Sequence, residues 1–168
     1  MRFARHLNQA MSQAWVEHCV TCWQEDLAFA YMIQLKASGA WLGSIELMVR
    51  TDVAEIGYIL SDSFWGQGFA TEAARVLVAW AEMQPGLGRI VAVCHSDNLA
   101  SRRVLEKIGL QFEARLDGDV LWPQLRPANG ARLLFGCSLG PESVISSHQI
   151  PVKSVGLHFK CEIAQALP

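Results

Sequence analysis

The chain has 168 residues, of which 51% are hydrophobic and 18% charged, with a formal net charge of −2. That length suits one domain, and so apolar a composition excludes disorder over most of it. The near-neutral balance argues against a broad nucleic-acid-binding surface, and no apolar run approaches the roughly 20 residues that span a bilayer.

In chain order, Met1-Arg2-Phe3-Ala4-Arg5-His6 carries neither the apolar run nor the small-residue cleavage site of a signal peptide. Residues 8–24 read as a helix with Ala10, Ala14, Trp15 and Cys22 among its apolar positions. Cys19 and Cys22 form a C-x-x-C there, without a second pair at zinc-ligand spacing, so buried structural thiols are the ordinary reading. Five scattered cysteines suit a reducing compartment, and a cytoplasmic protein is expected. The five histidines show no metal-ligand spacing either, so no metal is predicted.

Leu27 to Leu35 reads as a strand, Lys36-Ala37-Ser38-Gly39 as a turn, and Trp41 to Val49 as a second strand. Thr51-Asp52 breaks the pattern before a third strand, Glu55 to Leu60. Short connections predict an antiparallel meander. Next comes Phe64-Trp65-Gly66-Gln67-Gly68-Phe69-Ala70-Thr71-Glu72, a glycine turn feeding a helix predicted from about Thr71 to Met83. Glycines let the backbone turn sharply and approach a ligand, and the first N–H groups of a helix are unpaired at its positive end. Such a turn binds phosphate well.

That helix is apolar nearly all round, Trp80 included, so deep packing is expected. Pro85-Gly86-Leu87-Gly88 stops it, and Ile90 to Cys94 is the continuous apolar run of a buried, parallel strand. His95-Ser96-Asp97-Asn98 leads to a helix over Leu99 to Ile108, with Asn98 as its N-cap and Gly109 beyond its end. Further strands are predicted at Gln111 to Arg115 and Arg132 to Ser138, with Trp122-Pro123 in the connection. Residues 1–140 are read as one domain and residues 141–168 as an extension of unassigned role, with a candidate strand over Val155 to Cys161.

Four blocks in this order are similar to the GCN5-related N-acetyltransferase (GNAT) family, in its ribosomal-protein N-terminal acetyltransferase-like subgroup. They are Gly43-Ser44-Ile45-Glu46-Leu47, Glu55-Ile56-Gly57-Tyr58, the glycine turn, and Asn98-Leu99-Ala100-Ser101-Arg102-Arg103-Val104-Leu105-Glu106-Lys107-Ile108-Gly109-Leu110. The resemblance implies an α/β (α+β) fold: a mixed, mostly antiparallel sheet with a splayed parallel strand pair, flanked by helices. It implies acetyl-CoA as acyl donor and a primary amine as acceptor, a protein or peptide N-terminus in the subgroup. The pyrophosphate would lie on the backbone of Gln67, Gly68, Phe69, Ala70 and Thr71. The pantetheine would run along the third strand past Ile59 and Leu60 and meet the Asn98 amide. Trp65 stands where many relatives have Gln or Arg.

Glu55 is the expected base, because it opens the strand beside the cofactor channel and shares a face with Gly57 and Ile59. A solvated strand-end carboxylate is the plain alternative, and Glu46 is the runner-up base. Ser101 shares a helical stripe with Val104, Leu105 and Ile108, so its hydroxyl could donate to the departing sulfur. Many relatives outside the subgroup use a tyrosine about four residues further on, where this chain has Leu105. Back-bonding of Ser101 to the preceding turn is the competing reading. Arg103 and Arg102 reach for cofactor phosphates or cover a solvated helix face, and Trp122 would line the acceptor side.

The family usually has a strand and about two helices before the Gly43 block, whereas 42 residues precede Gly43 here. The acceptor groove is then unusually open, or completed by the extension or by a second subunit in a homodimer. Three other readings stand beside N-terminal acetylation: a small-amine (aminoglycoside or polyamine) acetyltransferase, a non-catalytic acyl-CoA-binding module, and an unrelated phosphate-binding α/β domain.

Overall fold

The computed structural model describes residues 8–117, 131–139 and 154–159, the side chains of 158 and 159 excepted. Elements follow in the order α1 (Gln9–Gln24), β1 (Ala28–Leu35), β2 (Trp41–Arg50), β3 (Val53–Leu60), a 3-10 turn (Asp62–Phe64), α2 (Phe69–Glu82), β4 (Arg89–His95), α3 (Leu99–Lys107), β5 (Gln111–Leu116), β6 (Arg132–Ser138) and β7 (Val155–Phe159).

The seven strands form one sheet in the order β5-β6-β4-β3-β2-β1-β7. The expected meander is present: β1–β2 and β2–β3 pair antiparallel, the latter from Gly43 opposite Leu60 to Arg50 opposite Val53. The two-residue turn Thr51-Asp52 also fixes where β4 starts, because the Asp52 carbonyl accepts from the N–H groups of Gly88 at 2.8 Å and Arg89 at 3.2 Å.

The junction of β3 and β4 positions the site. They pair in parallel at Val53–Arg89, Ala54–Ile90 and Glu55–Val91 only. Beyond those three pairs β3 stays paired to β2 as far as Leu60, and β4 to β6 as far as His95. The sheet is thus two well-paired halves joined at a short hinge. Past it, Ile56–Leu60 and Ala92–His95 face each other across a gap. Backbone polar groups lining that gap lack a ladder partner and are available to a ligand.

Strand alternation assigns the faces. Ala54, Ile56 and Leu60 of β3 and Ile90, Ala92 and Cys94 of β4 join Ala73, Ala74, Leu77 and Ala81 of α2 and Leu105 of α3 in the core. Glu55 and its β2 partner Met48 point to the opposite face, where α1 lies over β1 and β2. The inner side of α1 is Trp15, Cys19 and Cys22, whereas Ala10 and Ala14 are exposed. The thiols pack as expected of structural cysteines: Cys19 is buried, and Cys22 Sγ lies 3.5 Å from His18 Nε2.

Two element starts differ from expectation by two residues, the other described boundaries by at most one. Helix α2 begins at Phe69 rather than Thr71, because Gly68 takes a left-handed conformation (φ 87°) as its N-cap. Strand β3 begins at Val53, the tight turn taking only Thr51 and Asp52. From the predicted extension, β7 adds antiparallel to the free edge of β1, with Val155 fully buried. The Glu72 carboxylate, in the first turn of α2, accepts from the N–H groups of Ser154 at 2.6 Å and Val155 at 3.2 Å. Trp80 lies edge-on to Phe29 against the core; Trp122 lies outside the described residues.

Candidate active site

Both helix N-termini, of α2 and α3, lie just past the carboxyl ends of the splayed strands. In open α/β sheets that crevice is where ligands bind.

At the α2 end, Gly66 (φ 73°) and Gly68 (φ 87°) both require the positive φ that glycine tolerates. The first intrahelical bond of this turn runs from Glu72 N–H to Gly68 C=O, and no side chain caps the helix. The N–H groups of Phe69, Ala70 and Thr71 therefore lack an intrahelical acceptor. A Cβ added at either glycine would meet nothing within 4 Å, so the turn borders open space. These are the properties of an anion-binding turn.

Surrounding contacts hold the turn in shape. The Trp65 indole N–H donates to the Leu60 carbonyl at 3.0 Å, which gives this residue a structural reason. Gln67 Nε2 donates to the Ser63 carbonyl at 3.2 Å, and Phe69 packs edge-on to Phe64. Ala70 and Thr71 turn their side chains inward and leave only backbone for a ligand. Leu60 likewise buries its side chain, whereas Ile59 is 42% exposed on the Glu55 face.

At the α3 end, the Asn98 amide oxygen accepts from the Ser101 N–H at 3.0 Å, which is the expected N-cap. The Ser101 hydroxyl lies 3.0 Å from the Tyr58 hydroxyl, and this is the hydrogen bond recorded for it; no back-bond to the preceding turn is formed. Tyr58 lies on the core side of β3 and crosses the gap to reach α3. Burial pushes its phenol up to about 12, outweighing the opposing effect of the Ser101 hydrogen bond, with Cys94 adding to the rise. Burial also pushes the neighbouring Cys94 thiol up to about 11. Both groups are neutral at physiological pH.

Glu55 sits at the hinge, opposite both Met48 and Val91, half-buried and without an ion pair or hydrogen bond among the described residues. It faces away from Ser101, so the two candidates flank the gap from opposite sides of the sheet. Glu46 is buried on the Glu55 face, opposite Gly57, at one end of a cleft of about 370 Å³ beneath α1. The two arginines differ: Arg102 is engaged by Glu106 at 2.8 Å, while Arg103 is exposed and unpaired among the described residues. No cluster of three or more metal-ligating side chains occurs among the described residues, and no described helix is long and apolar enough to cross a membrane.

The sequence reading gives Tyr58 no role. The signal was available: alternation places Tyr58 on the core face, where a hydroxyl needs a partner, as for Ser101.

Comparison with known proteins agrees with this fold. The acetyltransferase (GNAT) domain family model matches residues 1–111. Over 61 residues the chain is 43% identical to the FsC-acetyl coenzyme A-N(2)-transacetylase of Aspergillus fumigatus, covering 36% of this chain and 26% of that protein. It is 33% identical over 113 residues to the uncharacterized N-acetyltransferase YoaA of Bacillus subtilis, covering 66% of this chain and 63% of that one. The chain thus matches from about a quarter to under two thirds of these relatives' lengths. Among solved structures, RimL, a ribosomal-protein alpha-N-acetyltransferase in complex with coenzyme A, shares the fold with a TM-score of 0.71 and 21% identity, over 79% of this chain and 73% of that one. With a family model spanning most of the chain and the forked sheet in place, the protein belongs to the GCN5-related N-acetyltransferase family.

Proposed function

We propose that this protein is an N-acetyltransferase that moves the acetyl group of acetyl-CoA to a primary amine, most readily that of a protein or peptide N-terminus. The observation that carries the reading is the fork between β3 and β4, open at the end where two helix N-termini converge. When bound, acetyl-CoA supplies an activated thioester whose transfer to an amine leaves an amide and a free thiol. The fold likeness to a ribosomal-protein acetyltransferase supports the N-terminal acceptor.

In this reading the backbone N–H groups of Phe69, Ala70 and Thr71 hold the pyrophosphate, and exposed Arg103 adds a positive charge nearby. The gap-facing backbone from Ile56 to Leu60 orients the pantetheine, with the Asn98 amide at the opposite wall. Glu55, facing the α1 side, accepts the proton lost by the attacking nitrogen as the new C–N bond forms. Ser101, from the other side, gives its proton to the sulfur as the C–S bond breaks. Solvent then re-protonates Ser101 and takes the proton from Glu55, so one proton leaves the amine and one reaches the thiol. The amine enters from the Glu55 face, where Glu46 of β2 lines the cleft beneath α1.

The test is thiol release from acetyl-CoA against a panel of N-terminal peptides, aminoglycosides and polyamines, with E55Q and S101A beside the wild type. A peptide acceptor and a loss of 10²-fold or more in kcat for E55Q are expected. Turnover on small amines alone transfers the assignment to that class. Binding without any acetylated product leaves an acyl-CoA-binding module, and full activity of both variants refutes the residue roles.

A further inference from the structure

Tyr58 spans the fork by a hydrogen bond, from the core face of β3 to the first turn of α3. Its neighbours on that side are apolar or neutral: Ile45 opposite it on β2, and Cys94 on β4. The Ser101 hydroxyl sits in the first turn of α3, and its partner there is the Tyr58 oxygen. A serine hydroxyl has one proton and two acceptor sites. With a phenol donating to its oxygen, its own proton is left to point elsewhere, and the open direction is the gap.

We propose that Tyr58 is a positioning residue for acyl transfer: its hydroxyl donates to Ser101 Oγ and thereby aims the Ser101 proton across the fork at the thioester sulfur. This rests on the acetyl-CoA reading above and adds to it a residue acting through Ser101. No proton leaves Tyr58 in this role. Its phenol stays neutral throughout.

The test uses Y58F, S101A and the double variant. Calorimetric binding of coenzyme A and of desulfo-coenzyme A, which lacks the sulfur, is measured beside turnover. Y58F is expected to lower kcat about tenfold, a modest part of what a positioned proton donor contributes, with KM for acetyl-CoA within about twofold. In the S101A background the same change should cost nothing further, since interacting residues fail to add. Coenzyme A should bind Y58F about two- to fivefold more weakly, as expected for one neutral hydrogen bond, while desulfo-coenzyme A binds unchanged. S101A, which keeps the phenol, should independently lose the preference for coenzyme A over its desulfo analogue.

Equal weakening of both ligands by Y58F, or an equal kcat loss in the S101A background, would assign Tyr58 to packing alone and overturn the proposal. So would an S101A protein that keeps its preference for the sulfur. A wild-type protein that binds neither ligand overturns the acetyl-CoA reading itself, and this proposal with it. That outcome is distinct from failure confined to Y58F.

Discussion

Glu72 holds two parts of the molecule in opposition, and replacing it separates them. Its carboxylate accepts the Ser154 and Val155 N–H groups and so ties β7 to the start of α2. A hydrogen bond to a charged group contributes about 1.5–3 kcal/mol net. At the low end of that range for both bonds, Glu72→Ala costs about 3 kcal/mol. For a protein of this size that lowers Tm by about 6–12 °C. Glu72→Gln keeps an oxygen acceptor but not the charge, and neutral bonds are about half as strong, so it should lose about half as much. Coenzyme A binding should move the other way. The carboxylate lies within one turn of the N–H groups proposed to hold pyrophosphate. Like charges roughly 5.5 Å apart repel by about 0.7 kcal/mol even at the dielectric of water. Glu72→Gln should therefore bind coenzyme A about threefold more tightly while melting lower. Circular-dichroism melting, hydrogen exchange over residues 154–159 and calorimetry read the three effects. An E72A protein that melts within about 2 °C of wild type, with β7 amides still protected, would refute the coupling of β7 to α2.

Other expectations are as direct. A Cβ at Gly43 would lie 2.0 Å from the Ile59 carbonyl oxygen, so Gly43→Ala must force β2 from β3, and a loss above about 4 kcal/mol or insoluble expression is expected. At Gly57 the nearest atom would be Glu46 Oε1 at 3.8 Å, an ordinary contact, and Gly57→Ala should stay within about 1 kcal/mol of wild type in denaturant titration. Asn98→Ala removes the α3 cap and should cost about 1 kcal/mol, seen as a Tm about 2–4 °C lower; an unchanged Tm would count against the cap. Folding raises Cys94 from 9.0 to about 11 and Tyr58 from 10.0 to about 12, so above pH 9 the folded state keeps protons that the unfolded chain releases. Their stabilisation is complete below pH 9 and lost as pH climbs to 12, and Cys94→Ala should flatten the fall in denaturant midpoint between pH 9 and 11.

The local grammar of the chain is legible without coordinates because it depends on neighbours a few residues apart. Alternation marks β3 and assigns Glu55, Gly57 and Ile59 to one face; a turn with two glycines before an apolar stripe marks the start of α2, although Gly68 moves that start to Phe69. Asn98 is readable as a cap because its partner is only three residues away. The resemblance to relatives supplied the fork itself as an expectation. Tertiary structure decided what depends on register and on distant contacts. Tyr58 meets Ser101 across 43 residues only because β3 and β4 part after Glu55 and Val91. Closer to the local grammar, Glu106 engages Arg102 at i, i+4 on α3, a pair that helical spacing already offers, and leaves Arg103 outward. Glu72 likewise finds β7 more than 80 residues away. The edge of β1 is open to any strand with apolar alternation, and it is the capture of the Ser154 and Val155 N–H groups by one carboxylate, with Val155 buried beside them, that selects this one.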